Sequence, residues 1–139
     1  MRNKITVIAT AIARLLLGLV FFVFGLDGFL HFIPQPTELP PEGAMSLAIA
    51  MMKSGYMFPL IKGTEVLAGA LLLTNRFVPL ALALLAPVVV NIVAFHAFLA
   101  PEGTALAVVI LVLEIALAWA YRDAYRPMLA PKHLVRAKA

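Results

Sequence analysis

The sequence predicts an all-α protein: an antiparallel four-helix transmembrane bundle with a short interfacial helix in its first outer loop. Three observations carry this expectation. The 139 residues are 63% hydrophobic and only 13% charged, where soluble domains carry roughly a quarter of charged residues. The mean hydropathy is +1.01. The apolar residues also fall into four long runs, close to the about 20 residues that one bilayer crossing needs. These runs fill the chain, so residues 1–139 read as one integral membrane domain with no soluble domain beside it.

Each run is punctuated. The first span is expected over 5–33, stopped by Pro34 and Pro36. The second, 56–73, follows Lys53, Ser54 and Gly55; the third, 77–99, follows the turn Thr74, Asn75, Arg76; the fourth, 105–121, follows Pro101, Glu102 and Gly103. The last two connections are too short for anything but antiparallel neighbours. The first loop is longer and holds Pro34, Pro36, Pro40 and Pro41, then an apolar run, 44–52, far too short to span. Pro41 and Glu42 suit a helix start and Gly55 its end, with Met45, Ala48, Ile49 and Met52 on one face. A helix lying across one mouth of the bundle is expected, and an ordinary loop brushing the headgroups is the alternative. Arg2, Lys4 and the Ala11-Ile12-Ala13 triplet imitate a secretory signal. Because the apolar run resumes at Leu15, the segment reads as the start of the first span.

Charge sets the orientation. Arg2, Lys4, Arg76, Arg122, Arg126, Lys132, Arg136 and Lys138 fall on one side of the predicted spans, and only Lys53 on the other. By the positive-inside rule both termini are cytoplasmic. The net charge of +4 and pI near 9.8 reflect a basic tail, 122–139, suited to anionic lipid headgroups; no nucleic-acid partner is expected.

Ionisable and strongly polar residues inside the spans carry the functional reading: Arg14, Asp27, Lys62, Glu65, Asn91, His96 and Glu114, with His31 at a span end. Charged groups cost about 3 kcal/mol each at the centre of a span on insertion scales, so they persist only when paired, facing a cavity or functional. Counted from the outer span ends at about 1.5 Å per residue, Asp27 and Lys62 lie about 9 Å deep, Asn91 about 12 Å, and Glu65 and Glu114 about 14 Å. His31 and His96 are shallower, and Arg14 is near the cytoplasmic side. Lys62, Glu65 and Gly69 share one face of the second helix; Arg14, Gly18, Phe21, Gly25 and Gly28 share one face of the first, and these faces are expected to pack together. Asp27 lies about 140° around the first helix from Arg14, so Asp27 and His31 face another neighbour or turn inward only near the mouth. Pro87 is expected to kink the third helix one turn before Asn91, making a polar notch at the depth of the glutamates. Two bases against three carboxylates leave one negative charge, which one proton would neutralise. A proton-exchanging ligand site is the functional expectation; a salt-bridge network fixing helix register is the structural one.

At these residues the chain resembles a known family. The run Arg14 to Gly18, the stretch Phe24-Gly25-Leu26-Asp27-Gly28, the segment Lys62-Gly63-Thr64-Glu65 through Gly69, and Phe77-Val78-Pro79 look like the DoxX family of small four-helix membrane proteins. Asn91 to His96 resembles a DoxX-like branch in particular. The likeness covers about residues 10–125. It implies a bacterial inner-membrane protein from a family whose named members include subunits associated with quinone-linked sulfur oxidation and membrane oxidoreductase complexes. The family's kinship to the vitamin K epoxide reductase bundle carries no chemistry here, since that chemistry needs cysteines and this chain has none.

Three functional classes follow. In the first, Arg14, Glu65, His96 and Glu114 line a pocket for a quinone headgroup in a small oxidoreductase subunit; without a flavin, nicotinamide or haem motif, electrons come from a partner subunit. In the second, the intramembrane carboxylates serve a small-solute or proton transporter, which with four spans requires homo-oligomerisation. In the third, the chain is a scaffold or assembly protein without chemistry. Asp27, His31, Glu65, His96 and Glu114 are a conceivable metal set, but no Glu-x-x-His pair occurs and Lys62 intrudes, so no metal is expected. Tyr56, Trp119, Tyr121 and Tyr125 read as interfacial anchors. Hydrolase and kinase patterns are absent.

Overall fold

The computed structural model describes residues 3–132; Arg2, Arg136 and Lys138 of the basic tally lie outside them. The described residues form an all-α protein without strands. Its helices are α1 (Lys4–Leu30), α2 (Glu42–Lys53), α3 (Met57–Leu73), α4 (Val78–Phe98), α5 (Thr104–Ala120) and a single turn, α6 (Arg122–Tyr125), with a 3-10 turn at Pro101–Gly103 before α5.

Side chains that satisfy backbone groups explain several boundaries. Asn3 opens α1, its Oδ1 accepting from the Thr6 N–H at 2.8 Å. The helix stops at Leu30 rather than at 33, because His31 adopts the left-handed conformation with φ 51° and its N–H donates to the Asp27 carbonyl. The Asp27 carboxylate then accepts the Ile33 N–H at 2.7 Å. At the end of α3 the left-handed residue is Asn75, φ 54°. The Asn75 N–H donates to the Leu72 carbonyl and the Arg76 N–H to Leu71, the two-bond Schellman closure that reverses the chain into α4.

α1 packs on both α3 and α5, and α4 on both α3 and α5. Along α1 and α3 the contacts run in reverse order: Gly18 meets Leu72 and Leu73, Gly25 meets Glu65 and Val66, and Gly28 meets Lys62. The expected glycine-lined face of α1 is therefore the one that meets α3. Gly69 permits the closest approach, since a Cβ there would lie 2.5 Å from the Phe22 backbone nitrogen and 2.9 Å from its Cα. The core is Leu17, Phe21, Ala68, Leu72, Val78, Ala81, Leu82, Leu85, Val89, Ile110 and Leu117.

Outside this core the polarity of a soluble protein is missing. Ile5, Ile8, Leu19, Val90, Phe98, Val112 and Ile115 are all more than half exposed. Such a surface is stable against hydrocarbon, where helices satisfy their own backbone hydrogen bonds. Three helical stretches are long and apolar enough to cross a membrane, Lys4–Leu30, Val78–Phe98 and Pro101–Ala120; α2 and α3, bent by 92°, make a fourth if taken as one span. The buried side of α2 differs from expectation. Ala44 is buried and Met45, Ala48 and Met51 half-buried, while Ile49 and Met52 are exposed. Gly43 lies against Leu99 at the end of α4, and the inward face is the expected one rotated by about one residue, keeping Met45 and Ala48 but exchanging Ile49 and Met52 for Ala44 and Met51.

Candidate functional site

The polar residues expected in one layer separate into distinct centres. Lys62 and Glu65 occupy the second and third turns of α3, spaced to share a face. Glu65 is buried, 4% exposed, and its Oε2 accepts from Lys62 Nζ at 2.9 Å. The Lys62 stem crosses α1 at Gly28, where a Cβ would sit 2.6 Å from Cγ and Cδ. One turn earlier, Phe58 presents its ring 5.9 Å from the ammonium. His96, in the last turn of α4, sends Nδ1 to the Ala100 carbonyl at 2.9 Å. A carbonyl only accepts, so Nδ1 carries a proton and Nε2 is the nitrogen left for other partners.

Lys62, Glu65 and His96 converge on a cavity of about 250 Å³ whose remaining walls are Val20, Phe21, Phe24, Ile92, Leu106, Ala107 and Ile110. An apolar chamber with a few convergent polar groups has the usual construction of a small-ligand site, though it is slightly smaller than the usual range, which begins at about 300 Å³. The ammonium has two donor positions beyond its bond to Glu65, and the histidine adds one nitrogen.

The other expected members lie elsewhere. The Arg14 guanidinium donates to the Leu72 carbonyl at the end of α3, about 10 Å along the helix from Glu65. Asp27 closes the end of α1, and His31 is exposed there. Asn91 is exposed beside Ile92 and does not line the cavity. Pro87 is exposed as well, so the expected polar notch faces outward rather than into the bundle.

Glu114 does not line this cavity either. It is 6% exposed and lines a second space, a cleft of about 610 Å³ between α4 and α5 walled by Leu82, Ala83, Ala86, Ile115, Ala118, Trp119, Arg122, Tyr125, Met128 and Leu129. Its Oε2 is buried with no hydrogen-bond partner among the described residues. Tyr125 joins this end of the molecule together, donating from its hydroxyl to the Pro79 carbonyl at 2.8 Å. Burial, and secondarily the Glu114 charge, raise the Tyr125 phenol above its ordinary pKa.

Comparison with protein-family models, with curated proteins and with solved structures found no match. The reading of the site therefore rests on its own geometry.

That geometry redistributes the partners. The Lys62–Glu65 pair is internally balanced, Arg14 and Asp27 serve helix ends, and Glu114 is the carboxyl group without an ion-pair partner among the described residues. Among the described residues no group of three or more His, Cys, Asp or Glu side chains is placed to hold a metal. Phe58 and Tyr125 were not expected at these centres. Phe58 lies four residues before Lys62, a spacing that brings aromatic and ammonium together on a helix. Tyr125 lies eleven residues after Glu114, three turns on and nearly in phase, a signal hidden by its position beyond the predicted span.

Proposed function

We propose that this chain is a DoxX-like protein of the bacterial inner membrane, and that its outer cavity binds a quinone headgroup as part of a quinone-linked oxidoreductase system. In this reading α1, α3, α4 and α5 cross the bilayer as an antiparallel bundle, both termini are cytoplasmic, and α2 lies in the outer interface. The orientation follows from the lysine and arginine distribution, and the family from the runs around Arg14, Lys62 and Phe77.

The observation that carries the ligand class is the convergence of Lys62, Glu65 and His96 in one apolar chamber of about 250 Å³. A quinone ring is flat, apolar on its faces and accepts hydrogen bonds at its carbonyl oxygens. Lys62 Nζ supplies donors to those oxygens, Nε2 of His96 is the acceptor for a hydroxyl of the reduced ring, and Phe21 and Phe24 supply wall for the ring. When bound, a quinone would supply two-electron, two-proton redox chemistry. The electrons come from a partner oxidoreductase subunit. In this reading Glu65, which lines the chamber beside Lys62, exchanges protons with the bound group.

The deciding experiment is purification in mild detergent followed by lipid extraction and mass spectrometry of the wild type and Glu65→Gln. Quinone retained by the wild type and lost from a folded Glu65→Gln supports the reading. Equal quinone in both, or none in either, overturns it; a co-purifying partner protein with no small molecule would favour the scaffold class instead.

A further inference from the structure

Glu114 is an intramembrane carboxylate that neither lines the outer cavity nor caps a helix end as Asp27 does. Unlike Glu65, it has no basic side chain beside it in an ion pair among the described residues, and Oε2 is buried without a hydrogen bond. A carboxylate held in an apolar surround gains most from a partner that brings both a positive charge and an N–H donor, because either alone leaves part of its desolvation uncompensated. The space next to it is long and apolar. Leu82, Ala83, Ala86 and Ile115 form its sides, and Trp119 and Tyr125 stand toward its α6 end. Ala83, Ala86 and Ile115 are exposed on the outer surface of the helices, so the cleft is open laterally, toward hydrocarbon.

Arg122 also borders the cleft, but its Nη1 donates to the Trp119 carbonyl at 3.0 Å and its guanidinium stacks 5.0 Å from the Trp119 ring. The cation is thereby engaged by Trp119 just past the end of α5, eight residues, about 12 Å of helical rise, beyond the Glu114 backbone. An anionic lipid headgroup would sit at Arg122 and lay its tail against the glutamate, the wrong polarity for a buried carboxylate. A molecule with an ammonium at its buried end and an apolar body along the alanine wall matches both ends.

We propose that the α4–α5 cleft is a second ligand site, taking lipophilic ammonium compounds with Glu114 as the counter-ion and hydrogen-bond acceptor. It is independent of the quinone reading, since it shares no polar residue with the outer cavity.

Trp119 is the single tryptophan of the chain and lines this cleft, so its fluorescence is a direct reporter. The test titrates octylammonium into purified protein in a nonionic detergent near neutral pH, with octanol as the uncharged counterpart. The expected result is a saturable change in Trp119 emission for octylammonium, and half-saturation at least about tenfold weaker in Glu114→Gln, one charge-assisted bond's worth. Glu65→Gln should titrate as wild type. Trp119 also borders a groove between α1 and α5, so Ala86→Leu, which fills only the α4–α5 cleft from its exposed side, should weaken binding too. Ala86→Leu also decides the matter should Glu114→Gln fail to fold. The proposal is overturned if the wild type shows no saturable change, if Glu114→Gln or Ala86→Leu titrates unchanged, or if octanol saturates the signal as readily as octylammonium.

Discussion

Arg14 on α1 donates a hydrogen bond to the backbone carbonyl of Leu72, in the last turn of α3. The carbonyls at a helix C-terminus lack intrahelical donors and carry the negative end of the helix dipole, so a guanidinium there is favourable twice over. It also ties together two helices at the end where α3 reverses into α4. Arg14→Ala should therefore destabilise the fold by about 1.5–3 kcal/mol, the range for hydrogen bonds to charged groups, with quinone content per folded protein unchanged. Thermal unfolding in detergent, paired with extraction, checks both parts; loss of ligand without loss of stability would return Arg14 to a binding role.

Close approach of α1 and α3 gives a paired prediction. Gly69→Ala drives a Cβ into the Phe22 backbone, which cannot swing aside as a side chain would, and should cost about 1–3 kcal/mol. Gly63→Ala, six residues away on the same helix, meets nothing within 4 Å. There the gain in helix propensity, up to about 1 kcal/mol, should leave the protein as stable as wild type or more so. Similar melting temperatures for the two variants would contradict the helix contact.

The Lys62–Glu65 pair should behave as a unit. Lys62→Met leaves Glu65 buried without its counter-charge, a loss of about 3–5 kcal/mol where a buried pair is broken. Glu65→Leu added to Lys62→Met removes the orphan and should recover much of that loss. Denaturant titration of the single and double variants yields the coupling; additive losses would mean that the two side chains act independently.

Tyr125 gives an alkaline signature outside the spanning helices. Its pKa is raised from the ordinary 10.0 by burial and by Glu114. The folded protein therefore holds this proton more tightly than the unfolded chain, so the contribution is fully present below pH 10 and is lost as pH rises through the raised folded value. Tyr125→Phe also removes the bond to Pro79, worth about 0.5–1.5 kcal/mol. The variant should melt lower at neutral pH yet lose less stability above pH 10. Melting curves from pH 8 to 11 test this, and parallel pH profiles would count against it.

The length of each apolar run and the residues that break it were enough to place α1, α3, α4 and α5 within a few residues. Glycines spaced along α1 also pointed correctly to its contact with α3, because backbone approach requires small residues in helical register. The grouping of polar side chains was not legible in the same way. Counting residues measures depth along one helix axis, and at equal depth Glu65 and Glu114 looked like neighbours. Whether two residues at one depth meet depends on how each helix is rotated against the next, and that rotation is set by packing of Leu17, Leu85, Val89 and Ile110 rather than by any local signal. Asn91 shows how narrow the margin is. Its neighbour Ile92 lines the cavity, and one residue of helical rotation, about 100°, sends the amide outward instead. The role of Asp27 at the helix end is illegible for a different reason: capping by a carboxylate depends on the chain's path after the helix, which a hydropathy pattern does not record.

α1 and α3 differ in extent in a way that matters to any bilayer around them. Twenty-seven residues give α1 about 40 Å of helix, while the seventeen of α3 give about 25 Å, less than the roughly 30 Å of hydrocarbon in a typical membrane. A short helix draws the membrane thin or calls headgroups and water inward, whereas a long one tilts. Lys62 stands only a turn and a half from the N-terminal end of α3, so if α3 crosses as proposed, thinning on that side would bring water toward the cavity. Membrane thickness then becomes a control on the hydration of the Lys62–Glu65 pair, and lipids of different chain length would retune it without any change in sequence.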